Sequence, residues 1–178
     1  MNVLDRIEQF GERMYKHLWF RVFLLVFFFI FNSYIALWCH EFMHYIYATL
    51  VLKADAYIQY GFGGVFGWCV VKDKHDFMLY YIGGIGTSIV FAVYLFAMLS
   101  LPNRLTLPLE FSLTTIVAYH FIYAHIEVLT LYYGYVWLYN PLKIVAEVLV
   151  VLWSLILFKN RFKEYLKLEG VMWNDRVV

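Results

Sequence analysis

Four apolar runs set the rhythm of the chain, over 18–52, 77–101, 109–139 and 141–158. A hydrocarbon core about 30 Å thick takes roughly 20 mostly apolar residues per helical crossing, so each run reads as a transmembrane helix. The first is too long for one perpendicular crossing and too short for two crossings and a turn. It reads as one long tilted or kinked helix with Asn32-Ser33 as its soft point. Residues 1–17 differ. Asp5, Arg6, Glu8, Glu12, Arg13 and Lys16 precede any apolar run, which argues against a signal peptide. Val3, Leu4, Ile7, Phe10 and Met14 recur at helical spacing, as in an amphipathic segment lying on a membrane surface. The stretch 161–169 repeats the pattern weakly. Both stretches read equally as solvated flanks that anchor the first and fourth spans.

Between the first two spans, over 53–76, the period changes. Ala56-Tyr57-Ile58-Gln59-Tyr60 and Val65-Phe66-Gly67-Trp68-Cys69-Val70-Val71 flank the turn Gly61-Phe62-Gly63-Gly64. Aromatic and β-branched residues around a Gly-rich turn predict a β-hairpin. A lone hairpin is marginal in water, so it is expected against the membrane face or the helix ends. The fold class expected is an all-α polytopic membrane protein in one domain. It has four transmembrane helices and a β-hairpin between the first and second.

Composition supports this. Of 178 residues, 63% are hydrophobic, 22% aromatic and 15% charged, with mean hydropathy +0.67. Soluble domains run near 45–50% apolar and 25% charged, so they are excluded, as are disordered, collagenous and nucleic-acid-binding chains. The two cysteines, Cys39 and Cys69, make a structural disulfide an unfavoured expectation. Four spans place both termini on one side. Ten Lys and Arg fall on that side, in the N-terminal segment, at Arg21 and Arg104, and in the tail 159–178. Four fall opposite: Lys53, Lys72, Lys74 and Lys143. The bias puts both termini in the cytoplasm and the hairpin outside.

The first span carries His40-Glu41-Phe42-Met43-His44, an HExxH motif. On a helix, positions i and i+4 share a face, so His40 and His44 can offer two imidazoles to one Zn²⁺, with Glu41 beside them as proton acceptor. Ionisable groups inside a span are costly and usually functional. The competing reading is a buried polar cluster that ties helices together. Ser33, Ala36 and Ala48 on the same face suit either.

Catalytic zinc sites take three protein ligands, so one must come from elsewhere. The third run offers His120, His125 and Glu127. His44 lies 8 residues before the outer end of its run, and Glu127 lies 12 before the end of its own. At about 1.5 Å per residue, the two sit within roughly a turn of one depth. His120 and Glu127, seven apart, share a face from which His125 points away. Glu127 is therefore the preferred ligand, with His120 an outer-shell or transition-state partner and His125 the rival ligand. On the second run, Gly83/Thr87 and Gly84/Ser88 are small-xxx-small pairs that permit close helix packing, or else a loosened backbone beside the metal.

These residues resemble the site-2 proteases, intramembrane zinc metalloproteases. The likeness lies in HExxH within a span, β-strands directly after it, a glycine-bearing second core helix and an acidic residue in the third. It covers roughly 18–139. The resemblance implies zinc and hydrolysis of peptide bonds in or beside a transmembrane segment of a membrane-protein substrate in the lipid bilayer. This chain has no Asp-Gly, which the family typically carries in its third core helix, and no PDZ-like insertion. Two other classes stay open: a non-catalytic membrane subunit on the same fold, and a haem or electron-transfer protein with axial histidines.

Overall fold

The computed structural model describes residues 17–61, 66–72, 74–99 and 106–167, together with Met14. The surface segment expected over 1–17 lies outside the described residues apart from Met14 and His17. So do the Gly-rich hairpin turn, Arg104 and the tail from 168.

Helix α1, Leu18–Ile46, runs on through a π-helical turn, Tyr47–Val51. Strands β1, Ala56–Gly61, and β2, Phe66–Val71, follow, and then α2, Phe77–Leu99. Helix α3, Thr106–Glu127, also widens into a π turn, Val128–Tyr132. A 3-10 turn, Val136–Leu138, leads into α4, Tyr139–Lys167. The two π turns share one pattern. Each is closed by an i→i+5 bond, Leu52 N–H to Tyr47 O and Tyr133 N–H to Val128 O, both 3.1 Å. A threonine in each, Thr49 and Thr130, donates its hydroxyl back to a carbonyl, Tyr45 O at 2.8 Å and Ile126 O at 2.6 Å. Side-chain donors of this kind satisfy backbone that hydrocarbon cannot.

Among the described residues, three helices are long and apolar enough to cross a membrane: Leu18–Val51, Phe77–Leu99 and Val136–Tyr165. The fourth, α3, falls short by composition, because it is the inner helix and packs against the other three. Its buried Ser112, Thr115, His120 and Glu127 face protein. Two boundaries differ from those read in the apolar runs. The run 109–139 is not one helix, because Gly134 turns the chain at φ 82° after the π turn. The helix expected over 141–158 continues to Lys167, since protein contacts take over where apolar residues stop. Arg161 pairs there with buried Glu110 of α3, and Arg21 of α1 donates to Tyr165 O.

Helix association inside a membrane gains little from hydrophobicity and relies on close packing and polar ties. Ala36, Phe91, Leu113 and Ile116 join α1, α2 and α3. A Cβ on Gly84 would fall 2.5 Å from His120 O and 2.6 Å from Ala124 Cβ, so this glycine sets the α2–α3 distance. Asn32 does not break α1. Its side chain donates to Ser112 Oγ at 3.0 Å, and Ser112 donates on to Phe28 O.

The hairpin is antiparallel, with Ile58 opposite Cys69 and Gln59 opposite Trp68. It does not rest only at the helix end. Ile58 and Gly67 lie with Leu37, Trp38 and Glu41 around a small gap, so the sheet runs down beside α1. Both cysteines are free thiols.

Candidate metal centre

The α1 helix presents His40 and His44 one turn apart, both buried, with ring centroids 4.6 Å apart. Glu127, the last α-helical residue of α3 and also buried, meets them. Glu127 Oε2 lies 3.2 Å from His40 Nε2 and 3.6 Å from His44 Nε2, and the two Nε2 atoms are 3.0 Å apart. Among the described residues this is the one group of three metal-ligating side chains that converge.

The arrangement can be tested against a metal ion. Four ligands held tetrahedrally about 2.0–2.1 Å from zinc lie about 3.3–3.4 Å from one another. The three edges here straddle that value. The tautomer agrees as well, because His44 Nδ1 lies 2.5 Å from Leu79 O. A proton donated there leaves the Nε2 lone pair for the cluster. Leu79 is itself held by a cap: Asp76 Oδ1 accepts its N–H at 3.1 Å and the Tyr47 hydroxyl at 3.1 Å. Gly83 of α2 closes the other side. A Cβ there would fall 2.6 Å from His44 Cε1 and 2.8 Å from His40 Cε1.

Glu41 turns away from the α2 side. Its Oε2 accepts the Cys69 N–H of β2 at 2.6 Å. It also lines a cavity of about 390 Å³ bounded by α1, α3 and α4, together with His40, His120 and Tyr123. His120 is buried, its ring centroid lies 5.5 Å from that of His40, and its Nδ1 has no hydrogen-bond partner among the described residues. His125 is elsewhere. It is exposed, with Nδ1 2.9 Å from Phe121 O and Nε2 3.4 Å from the Tyr81 hydroxyl.

Several contributors escaped the reading of the sequence. Tyr123 packs its ring 5.2 Å from His40 and pairs its hydroxyl with that of Tyr139. It stands four residues before Glu127, a same-face spacing that could have flagged it. Lys143 and Glu147 of α4 line the cavity, and Glu147 accepts the Tyr119 hydroxyl at 3.3 Å. Their signal was two charges one turn apart within an apolar run. The Leu79 carbonyl and the Cys69 amide have no sequence signature.

Comparison with known protein families, with curated proteins and with solved structures finds no match. The functional reading therefore rests on this geometry and on the motif.

Proposed function

We propose that this chain is an intramembrane zinc endopeptidase that cleaves peptide bonds in or beside transmembrane segments of membrane proteins. In this reading α3 is a fourth span shielded by the other three, and both termini lie in the cytoplasm. The observation that carries it is the convergence of His40, His44 and Glu127 in the interior, with Glu41 alongside and a cavity leading to them. The likeness of the motif to that of site-2 proteases points the same way.

His40, His44 and Glu127 would hold the ion, and Glu127 supplies negative charge against a dication in low dielectric. When bound, zinc supplies a Lewis acid that polarises a carbonyl and lowers the pKa of water. Glu41 takes the proton from the attacking water and passes it to the leaving amine as the C–N bond breaks. His120, on the cavity wall, donates toward the oxygen on which negative charge develops. A helical substrate hides its carbonyls in its own hydrogen bonds and must unwind. The hairpin edge holds the unwound strand by β-addition.

Metal content and cleavage of an apolar peptide in micelles test the reading together. His40→Ala and His44→Ala lose zinc and cleavage. Glu41→Gln keeps zinc and loses cleavage, because its amide retains the shape but accepts no proton. Cleavage by Glu41→Gln at the wild-type rate would refute the mechanism. A purified protein without metal would favour the non-catalytic subunit.

A further inference from the structure

We infer that the Cys69 backbone amide holds the base Glu41 until a substrate strand takes that amide in exchange. The inference rests on the peptidase reading above and adds a contact that the reading does not require.

The pairing of the two strands shows where this amide points. Lys72 N–H donates to Asp55 O at 3.1 Å, so 55 and 72 form a hydrogen-bonded pair. In an antiparallel ladder such pairs alternate with non-bonded ones. From 55/72, the bonded pairs are Tyr57/Val70 and Gln59/Trp68. Ile58/Cys69 is then a non-bonded pair. The Cys69 N–H therefore projects from the outer edge of β2, where it meets Glu41 Oε2. Two independent contacts agree on this orientation.

The outer edge of β2 is thus the edge beside the metal centre, and its middle donor is already spent. This edge faces α1 across only a small gap, so an extended strand must part the hairpin from α1 to pair with the outward groups of Gly67, Cys69 and Val71. Cys69 has one N–H and two claimants, a substrate carbonyl and Glu41. A charge-assisted bond as short as 2.6 Å fixes the rotamer of Glu41 toward the hairpin. Seating the strand releases the carboxylate toward the cavity, which Glu41 also lines. The base is freed when a substrate is present to use it. Cys69 is in this sense a positioning residue that acts through its backbone.

Proline at 69 tests this, because the outward N–H belongs to no ladder bond and edge positions tolerate proline. Two quenched fluorescent apolar peptides in micelles serve as probes. One is unmodified, and the other is N-methylated at successive residues on both sides of an unmodified scissile bond, so that neither edge of it can pair as a strand. Wild type should turn over the N-methylated probe with kcat about tenfold lower. Cys69→Pro should raise kcat on that probe about tenfold and raise KM for the unmodified one. A fall in kcat on both probes at unchanged KM would mean the amide only holds Glu41 in its working place, and the exchange would be wrong. No change on either probe would also overturn it. Amide exchange by NMR reads the contact independently of turnover and of the proline variant. In Glu41→Ala the Cys69 amide should exchange at least about tenfold faster while Trp68 and Val70 keep their protection, and the unmodified peptide should restore it. Unaltered Cys69 exchange would refute the contact. If wild type cleaves neither probe, the peptidase reading fails, and the exchange data still decide whether a strand takes the amide.

Discussion

Gly83→Ala is the sharpest single perturbation of the centre, because it adds one methyl group and removes no ligand. That methyl would sit 2.6 Å from His44 Cε1 and 2.8 Å from His40 Cε1. Carbon atoms in ordinary contact lie about 3.5–4.0 Å apart, so each ring must retreat by about 1 Å. His44 has little room to do so while its Nδ1 is tied to Leu79 O in the same helix as Gly83. Metal–ligand distances tolerate only about 0.2 Å. Outer-shell changes alone cost 10–100-fold in affinity. Displacing both imidazoles should therefore cost at least about 100-fold, or ~2.7 kcal/mol. Helix propensity works in the opposite direction, since Ala is favoured over Gly by about 0.8–1.0 kcal/mol in a helix interior. The assay is zinc competition with a chromophoric chelator in detergent, alongside thermal unfolding. Gly86→Ala is the control. The nearest atoms to its methyl belong to Met43, 2.8 Å away at Cγ and 3.0 Å at Sδ, a flexible side chain that can move aside. Zinc affinity in Gly83→Ala equal to that in Gly86→Ala would refute the assignment of His40 and His44 as paired ligands.

Two further outcomes follow from the same geometry. Glu127→Ala should lower zinc occupancy at least about tenfold while His125→Ala leaves it unchanged, since His125 faces Phe121 O and Tyr81; metal analysis giving the reverse ranking would move the ligand. Burial and the nearby Glu41 push the Cys69 thiol up to about 11, so in a Cys39→Ala background its alkylation at pH 8 should run about 100-fold slower than that of an ordinary thiol and rise about tenfold per pH unit toward pH 10. Alkylation at the ordinary rate at pH 8 would contradict that environment.

The sequence disclosed those parts of the site that a spanning helix cannot carry idly. His40, Glu41, His44, His120 and Glu127 stood out because ionisable groups are rare in apolar runs, and helical periodicity then sorted Glu127 from His125. Depth counting set His44 and Glu127 at one level, and the two side chains do converge, because α1 and α3 both end in a widened turn at similar distances beyond them. Other features left no such trace. Gly83 was legible as a packing residue, but its closeness to two imidazoles depends on how α2 rotates against α1. Leu79 O and Cys69 N–H are backbone groups that any residue would present. The apolar run through Tyr139 hid the turn at Gly134, since hydropathy does not register a positive φ.

The feature that disqualifies α3 as a lipid-facing helix is also what makes the centre possible. A charged side chain at a bilayer midplane costs at least about 2.5–3.5 kcal/mol, and α3 buries both Glu110 and Glu127. Neither faces lipid. Glu110 is met by Arg161 of α4 and Glu127 by two histidines of α1, so each carboxylate draws its compensation from a different neighbour. The two neighbours do not play the same part. Arg161 brings a permanent charge that neutralises Glu110. At the opposite end no permanent charge meets Glu127, whose carboxylate converges instead with the Nε2 atoms of two histidines, three acceptors without a fixed cation. Such an arrangement is stable in low dielectric only with a cation, as protons or as a metal ion, among those acceptors. A proton on one imidazole would answer the carboxylate and be shared with the other Nε2, 3.0 Å away. A dication satisfies all three donors at once, and this asymmetry between the two ends of α3 is the physical reason to look for a metal at this one.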